Sequence, residues 1–334
     1  MATLAEQVQG ERMARIALSM IAEPNDPTTG YVLAHHGGVE TLRLVDSDDD
    51  APGLARADVL MWRERLAARI TPTLPDQLAK ATERGFGILI PADKEWPAAL
   101  DDLGDRAPYL LWTRGDTSLL TGAVSDRVTI TGARASSAYG EQVTTELAMG
   151  LADEERTIVA GGAYGIEGAA HKSALAAAGH TIAVLPSGLD RLYPAGHTDL
   201  LNRIGDVGLL VSELPPGSVP TRNRFEARNR LMAVLSGATV IPEAGIRSGS
   251  RITVHYARSL GRGIGAVPGP VTSGTSATPN DLIKQGLASL VTQADDVIAL
   301  LDAEHGENNL SRPPLTTMGL GRTSFPTPRS SRSL

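Results

Sequence analysis

The chain has 334 residues, 42% hydrophobic and 21% charged, with 35 glycines, 4% aromatics and a formal net charge of −7. That supports about two folded domains and excludes both a wholly disordered chain and a protein coated in basic residues. The absence of cysteine excludes disulfides, thiolate metal and iron–sulfur sites, and cysteine nucleophiles, which suits a reducing, cytoplasmic setting.

The start, MATLAEQVQGERM, lacks a basic region followed by an apolar one, so no secretory signal is read there. No apolar run approaches the ~18 residues of a membrane span, and no membrane partner is expected. Residues 1–70 read as a small helical N-terminal domain. It has a helix near Leu4–Ala22 stopped by Pro24-Asn25-Asp26-Pro27, a pattern over Thr29–His36, and another over Arg56–Ile70 after the acidic break Asp46–Asp50. A linking segment, 71–125, carries a helix over Pro75–Arg84 and an approach strand over Phe86–Ile90.

From Asp126 the pattern becomes regular and defines a domain over 126–304. Strands are predicted at Arg127–Thr131, Thr157–Ala160, Thr181–Leu185, Gly208–Val211, Thr239–Ile241 and Gly263–Val267. Helical periodicity fills the gaps at Tyr139–Leu151, Ile166–Ala178, Thr198–Ile204, Arg224–Leu235, Ser250–Leu260 and Asn280–Gln285. Short apolar strands alternating with helices specify an α/β fold with a doubly wound, parallel sheet. Residues 305–334, rich in Ser, Pro and Arg, read as a disordered basic tail.

In an open parallel sheet, ligands bind beyond the carboxyl ends of the strands. The residues there are small: Thr131-Gly132-Ala133-Arg134, Gly161-Gly162-Ala163-Tyr164-Gly165, Pro186-Ser187-Gly188-Leu189 and Ser248-Gly249-Ser250. Such turns let backbone N–H groups and helix N-termini meet an anion, although any strand-to-helix turn in this architecture favours small residues. Arg134 adds a fork of donors suited to phosphate. Other chemistries lack their signatures. There is no G-x-x-x-x-G-K-[ST] loop, Gly161–Gly165 is not a dinucleotide fingerprint, and no G-x-S-x-G elbow exists. The seven histidines show no metal-binding spacing. No catalytic residue, metal or cofactor is therefore expected. His171 reads as a packing histidine, and Glu167, Glu213 and Glu243 as caps or arginine partners, with acid–base work the alternative.

Residues 219–262 hold eight arginines against two acids, a local net of +6 that leaves −13 for the rest. Within Thr221–Ser236, Arg224 and Arg228 lie four apart and Phe225 three before Arg228, so a helix brings them into one neighbourhood. Arginines beside an aromatic suit single-stranded nucleic acid, phosphates held by charge and a base stacked on the ring. The competing reading makes Phe225 a core anchor and pairs the arginines with Glu213, Glu226 and Glu243.

At this point the series resembles the DNA-processing protein A (DprA/Smf) family, over about residues 85–300. The pattern G-S-R-x-x-S-x-Y-G stands as Gly132–Gly140, and G-x-x-x-G-I-D-x-x-A-H-x-x-A-L as Gly161–Leu175. There follow Gly188-Leu189-Asp190, Tyr193-Pro194, Ser212-Glu213, Pro215-Pro216-Gly217, Phe225-x-x-Arg228-Asn229-Arg230, Glu243-Ala244, Ser248-Gly249-Ser250, Val267-Pro268-Gly269 and Asn280-x-Leu282-Ile283, with Glu95-Trp96-Pro97-x-x-Leu100 ahead of them. Ala133, Glu167, His197, Val234 and Arg251 depart from the family pattern.

The resemblance implies an extended Rossmann-like domain acting as a homodimer that binds single-stranded DNA, protects it during natural transformation and helps load the RecA recombinase. Carried over by position, Arg134 and Ser137 would hold phosphate, and Arg228 and Arg230 would line a basic pocket with Arg222 on its rim. Phe225 would stack on a base, and Gly249 and Ser250 would offer backbone donors. The alternative is a Rossmann-like enzyme or sensor of a free nucleotide or its derivative.

Overall fold

The computed structural model describes residues 4–307, and the predicted tail lies outside them apart from its first three residues. The N-terminal part contains α1 (Leu4–Gln7), α2 (Glu11–Ile21), α3 (Pro27–Asp46, kinked at Gly37), α4 (Arg56–Ala67) and α5 (Leu74–Thr82). The start of α3 is set by Asp26, whose carboxylate accepts from Thr28 N at 3.3 Å and Thr29 Oγ1 at 2.8 Å, with Pro27 in the first turn. Trp62 of α4 is fully buried, and its indole N–H reaches Thr29 Oγ1 at 2.9 Å. That bond ties α4 to the start of α3.

Two strands follow, β1 (Gly87–Leu89) and β2 (Leu111–Gly115), separated by a 3₁₀ segment at Ala98–Arg106. The regular α/β part then runs β3 (Arg127–Ile130), α6 (Ala138–Asp153), β4 (Thr157–Ala160), α7 (Ile166–Ala176), β5 (Thr181–Val184), α8 (Thr198–Val207) and β6 (Leu209–Ser212). It continues α9 (Arg222–Leu235), β7 (Ala238–Ile241), α10 (Ser250–Ser259), β8 (Gly263–Ala266), α11 (Ala277–Lys284), β9 (Ser289–Leu290) and α12 (Ala294–Glu307). Each of the six predicted strands forms, with ends shifted by one residue at most. The pattern had not marked β2, β9 or α12. β9 has two residues, too few for any periodicity, and α12 runs three residues into the predicted tail.

All described strands form one sheet in the order β1-β2-β6-β5-β4-β3-β7-β8-β9. It is parallel from β6 to β9, as the continuous apolar runs require. The pairs β1–β2 and β2–β6 are antiparallel, with Trp112 opposite Ser212. The chain winds outward from β3 through β6, and α9 then carries it back across the sheet to β7 on the other side of β3. The switch point therefore lies between β3 and β7.

Successive strand residues feed opposite cores. Val159, Ile182, Val184 and Val211 pack with α9, α10 and the 98–106 segment. Val128, Ile130, Ile158 and Val240 pack with α6, α7 and α12. Ala183, Leu185 and Leu210 share a third core with α8 and the N-terminal helices, so those helices are joined to the sheet by apolar burial.

One arginine expected in the pocket serves this packing instead. Arg230 is fully buried, with Nη1 and Nη2 on the Glu213 carboxylate at 2.6 and 2.5 Å and Nε on the Arg106 carbonyl at 2.8 Å. Burial works against its charge, but the Glu213 carboxylate prevails and holds its pKa above the ordinary guanidinium value. Arg230 thus locks α9 to the end of β6 and to the 98–106 segment, and it does not line an open pocket. Arg230→Ala should lower the unfolding free energy by about 3–5 kcal/mol in a urea titration, because Glu213 is left buried without its cation. Arg230→Met combined with Glu213→Leu should cost much less, since no charge is then stranded.

Candidate nucleic-acid interface

Of the eight predicted residues, Arg134 and Ser137 follow β3, Gly249 and Ser250 follow β7, and Arg222, Phe225, Arg228 and Arg230 lie on α9. The loop after β3 leads into α6, capped by Ser137, whose hydroxyl accepts from Gly140 N at 3.2 Å. An anion already sits at that helix N-terminus. The Glu243 carboxylate accepts from Ser137 N at 2.8 Å, Ser137 Oγ at 2.6 Å and Thr275 Oγ1 at 2.8 Å. Glu243 is 1% exposed, and a Cβ on Gly140 would stand 2.2 Å from its Oε2, which explains the glycine. The side chain of Ser137, expected to hold phosphate, is therefore occupied by a carboxylate of the same chain.

Arg134, in the same loop, is exposed and pairs with no carboxylate among the described residues. Its guanidinium lies over the ring of Phe225, with Cζ 4.6 Å from the centroid. Phe225 stands in the first turn of α9, a helix begun by Thr221, whose hydroxyl accepts from Arg224 N at 3.3 Å. Arg228 lies one turn on, beneath the ring, with Cζ 5.8 Å from the centroid.

Arg228 is 5% exposed, a strut more than a pocket wall. Its Nη1 donates to the Val184 carbonyl at 3.1 Å, and its Nη2 lies 3.7 Å from Glu167 Oε1. A Cβ on Gly161 would come 1.4 Å from Arg228 Nη1, so only glycine admits the guanidinium there. Glu167 accepts from Thr131 Oγ1 at 2.8 Å and Ala163 N at 3.0 Å. Burial alone would raise its pKa, but the Arg228 guanidinium and these donors bring it below the usual carboxylate range. Arg228 in turn is lowered chiefly by burial, with Glu167 opposing that and Arg134 adding to it. Glu167 therefore holds a charged arginine under Phe225.

The remaining predicted residues are spread more widely. Arg222 is on the surface at the start of α9, with Nε 3.0 Å from Glu226. Gly249 is exposed just before α10, where Asn229 Nδ2 holds its carbonyl at 3.1 Å. Ser250 is buried, and its N–H is directed to Ser248 Oγ at 3.3 Å, so that donor is already engaged. Among the described residues, six of the eight arginines in 219–262 face a carboxylate within 4 Å. Five of those acids, Glu23, Glu167, Glu213, Asp281 and Asp102, come from outside that stretch. The ion-pairing reading of the segment thus holds in part: Arg230 and Arg222 pair with Glu213 and Glu226, while Glu243 binds Ser137 instead of an arginine.

Two aromatics at the strand-end rim of the sheet were missed. Tyr193 meets Phe225 edge to face, with centroids 5.8 Å apart, and Tyr164 meets His197 at 4.6 Å. They are 39% and 47% exposed. A signal was available for Tyr164, which follows the small residues Gly161-Gly162-Ala163 at the end of β4, but not for Tyr193, which follows Asp190-Arg191-Leu192. Among the described residues, no His, Asp and Glu side chains come together to hold a metal ion, and no helix is long and apolar enough to cross a membrane.

His171 packs below the site as expected. It is fully buried, 2.9 Å from the Gly161 carbonyl through Nε2 and 2.7 Å from Thr181 Oγ1 through Nδ1. Those partners assign the neutral ring its proton on Nε2. Burial, against the pull of Glu167, pushes its pKa down to about 4, whereas an unfolded histidine titrates near about 6.5. Between those values the unfolded chain binds a proton that the folded chain refuses. Stability should thus be unaffected by this group above about pH 6.5 and fall by up to about 3 kcal/mol as pH drops toward 4. Urea midpoints measured at pH 7 and pH 5 should show this loss, and His171→Gln should flatten it.

The sequence profile of the DNA recombination-mediator protein A family matches residues 87–302. A DNA processing protein DprA of Mycobacterium tuberculosis is 47% identical over 292 residues, covering 84% of this chain and 72% of that protein. The crystal structure of DNA processing protein A from Streptococcus pneumoniae superposes with a TM-score of 0.71 at 34% identity, covering 87% of this chain and 98% of that one. The corresponding Helicobacter pylori protein, solved for its single-stranded DNA binding mode, superposes with a TM-score of 0.59 at 31% identity, covering 66% and 97%. These matches span the sheet, the α9 arginines and the strand-end loops together: the chain belongs to the DNA recombination-mediator protein A family.

Proposed function

We propose that the chain binds single-stranded DNA across the carboxyl ends of β3, β4 and β5 and, as a homodimer, protects the strand and passes it to the RecA recombinase. The observation that carries the binding reading is Arg134, an exposed guanidinium with no carboxylate partner among the described residues, seated on Phe225. A fixed, uncompensated fork at a rim of exposed aromatics suits phosphate and base together. The single-stranded DNA binding of the Helicobacter pylori relative supports the same reading. The RecA and homodimer parts rest on the family resemblance.

Arg222, 90% exposed, extends the cationic surface along the start of α9, and the Gly249 turn borders α10. Binding without turnover is supported by the state of the acids. Glu167, Glu213 and Glu243 are each 9% exposed or less, and each carboxylate is committed to hydrogen bonds. A free-nucleotide enzyme or sensor needs an open anion seat, and Glu243 fills the one at α6.

Fluorescence anisotropy with a labelled oligodeoxythymidine tests this. Wild-type protein should bind it in preference to duplex, and affinity should fall with salt at a slope of about −0.7 for each phosphate neutralised. Arg134→Ala should weaken binding to all sequences alike and make that slope shallower by about 0.7. Preference for duplex, or no binding at low salt, would sink the proposal.

A further inference from the structure

Beside the rim, the loop after β7 leads into α10, and this part of the chain differs from the rest in charge. Residues 244–280 contain four arginines and no acid, in a chain of net charge −7. α10 buries Ser250, Thr253, Val254 and Ala257. The periodicity that turns those residues inward turns Arg251, His255 and Arg258, spaced four and three apart, to the opposite face. His255 and Arg258 are exposed there, and Arg251 is half-buried.

The face keeps most of its charge. Arg251 lies 3.5 Å from Asp281 of α11, but Arg258 has no carboxylate within 4 Å among the described residues, and neither has Arg247, exposed just ahead of the helix. Arg258 stands in the last turn, where the helix dipole favours a cation. That dipole end carries only about half a charge, so the guanidinium stays available to a phosphate. The face is also continuous with the rim. The Ala133 N–H donates to the Glu243 carbonyl at 2.6 Å, which ties the loop of Arg134 backbone to backbone to the segment that leads to Arg247. Asn229, one turn after Phe225 on α9, holds the Gly249 carbonyl where α10 begins. From Arg251 to Arg258 the helix rises about 10 Å, room for about two phosphates of a strand.

Resting on the single-strand reading above, we propose that the outward face of α10 is a second contact surface for the phosphate backbone. It receives the strand where it leaves the rim, with Arg258 as its far cation. Contacts of this kind hold charge and read no sequence. They count only when the strand is long enough to reach them, which separates this surface from the rim in solution.

The test uses the full chain and labelled oligodeoxythymidines of about 6 and about 16 nucleotides, within the range of single-strand site sizes, each titrated at several salt concentrations. Wild-type protein should bind the longer oligomer with a salt slope steeper by about 1.4, the share of two further phosphates. Arg258→Ala should make the slope for the longer oligomer shallower by about 0.7 and leave the shorter one unchanged, and Arg258→Lys should restore it. Arg134→Ala should weaken binding to both. The assignment is overturned if the wild-type slope does not grow with length, if Arg258→Ala leaves the longer oligomer's slope unchanged, or if it weakens both oligomers equally. Each of those results leaves single-strand binding at the rim intact. Failure to bind either oligomer would instead remove the binding reading itself, and this surface with it.

Discussion

The candidate site depends on one buried charge pair, Arg228 with Glu167. Neither side chain reaches solvent to any useful degree, and at 3.7 Å their attraction is electrostatic more than a hydrogen bond. In a dry interior such a pair offsets its own desolvation only if the other polar atoms are well served. Thr131, Ala163 and the Val184 carbonyl do most of that work, which draws the ends of β3 and β5 and the loop after β4 onto the first turns of α9. Phe225 sits one turn ahead of Arg228, so its place, and through it the place of Arg134, follows from the pair below. The departure from the family pattern at Glu167 is absorbed here, because the longer carboxylate still reaches all three partners.

The same economy governs the arginine-rich stretch. As a linear count it carries a net of +6, but the folded chain spends most of those charges internally. Glu23, just after α2, grips Arg224 with both oxygens at 3.0 and 2.9 Å, and Arg69 approaches the same carboxylate at 2.8 Å. The N-terminal part therefore holds the start of α9 by charge, and the sheet by its shared apolar core. Arg262 and Arg251 are directed to Asp102 and Asp281. Among the described residues the two left without a carboxylate within 4 Å are Arg247, in the loop after β7, and Arg258, in the last turn of α10, a smaller field than the composition of the segment suggests.

Glu243 shapes the site by occupation. The N-terminus of α6 at the topological switch point has the donors and dipole that commonly receive phosphate. Here a carboxylate of the same chain takes them. The anion seat at the β3–β7 crevice is thereby filled, while exposed Tyr164 and Tyr193 stand in the loops after β4 and β5.

The apolar alternation of strand and helix determined the parallel sheet, because each buried strand needs a continuous apolar run and each crossover a helix. The strand-end glycines and Arg134 were legible too, since an open sheet of this kind has one place for ligands. Local patterning could not give the antiparallel edge of β1 and β2, nor the two-residue β9, because pairing there is decided by neighbours distant in sequence. Nor could it sort the arginines. Arg228 and Arg230 are two residues apart on one helix, yet one faces Glu167 under the site and the other Glu213 behind it. The sequence by itself determined the architecture and the composition of the rim. Only the tertiary structure decided which charges are neutralised and which stay exposed at the rim, because ion pairing and burial are settled by side chains that meet across the fold.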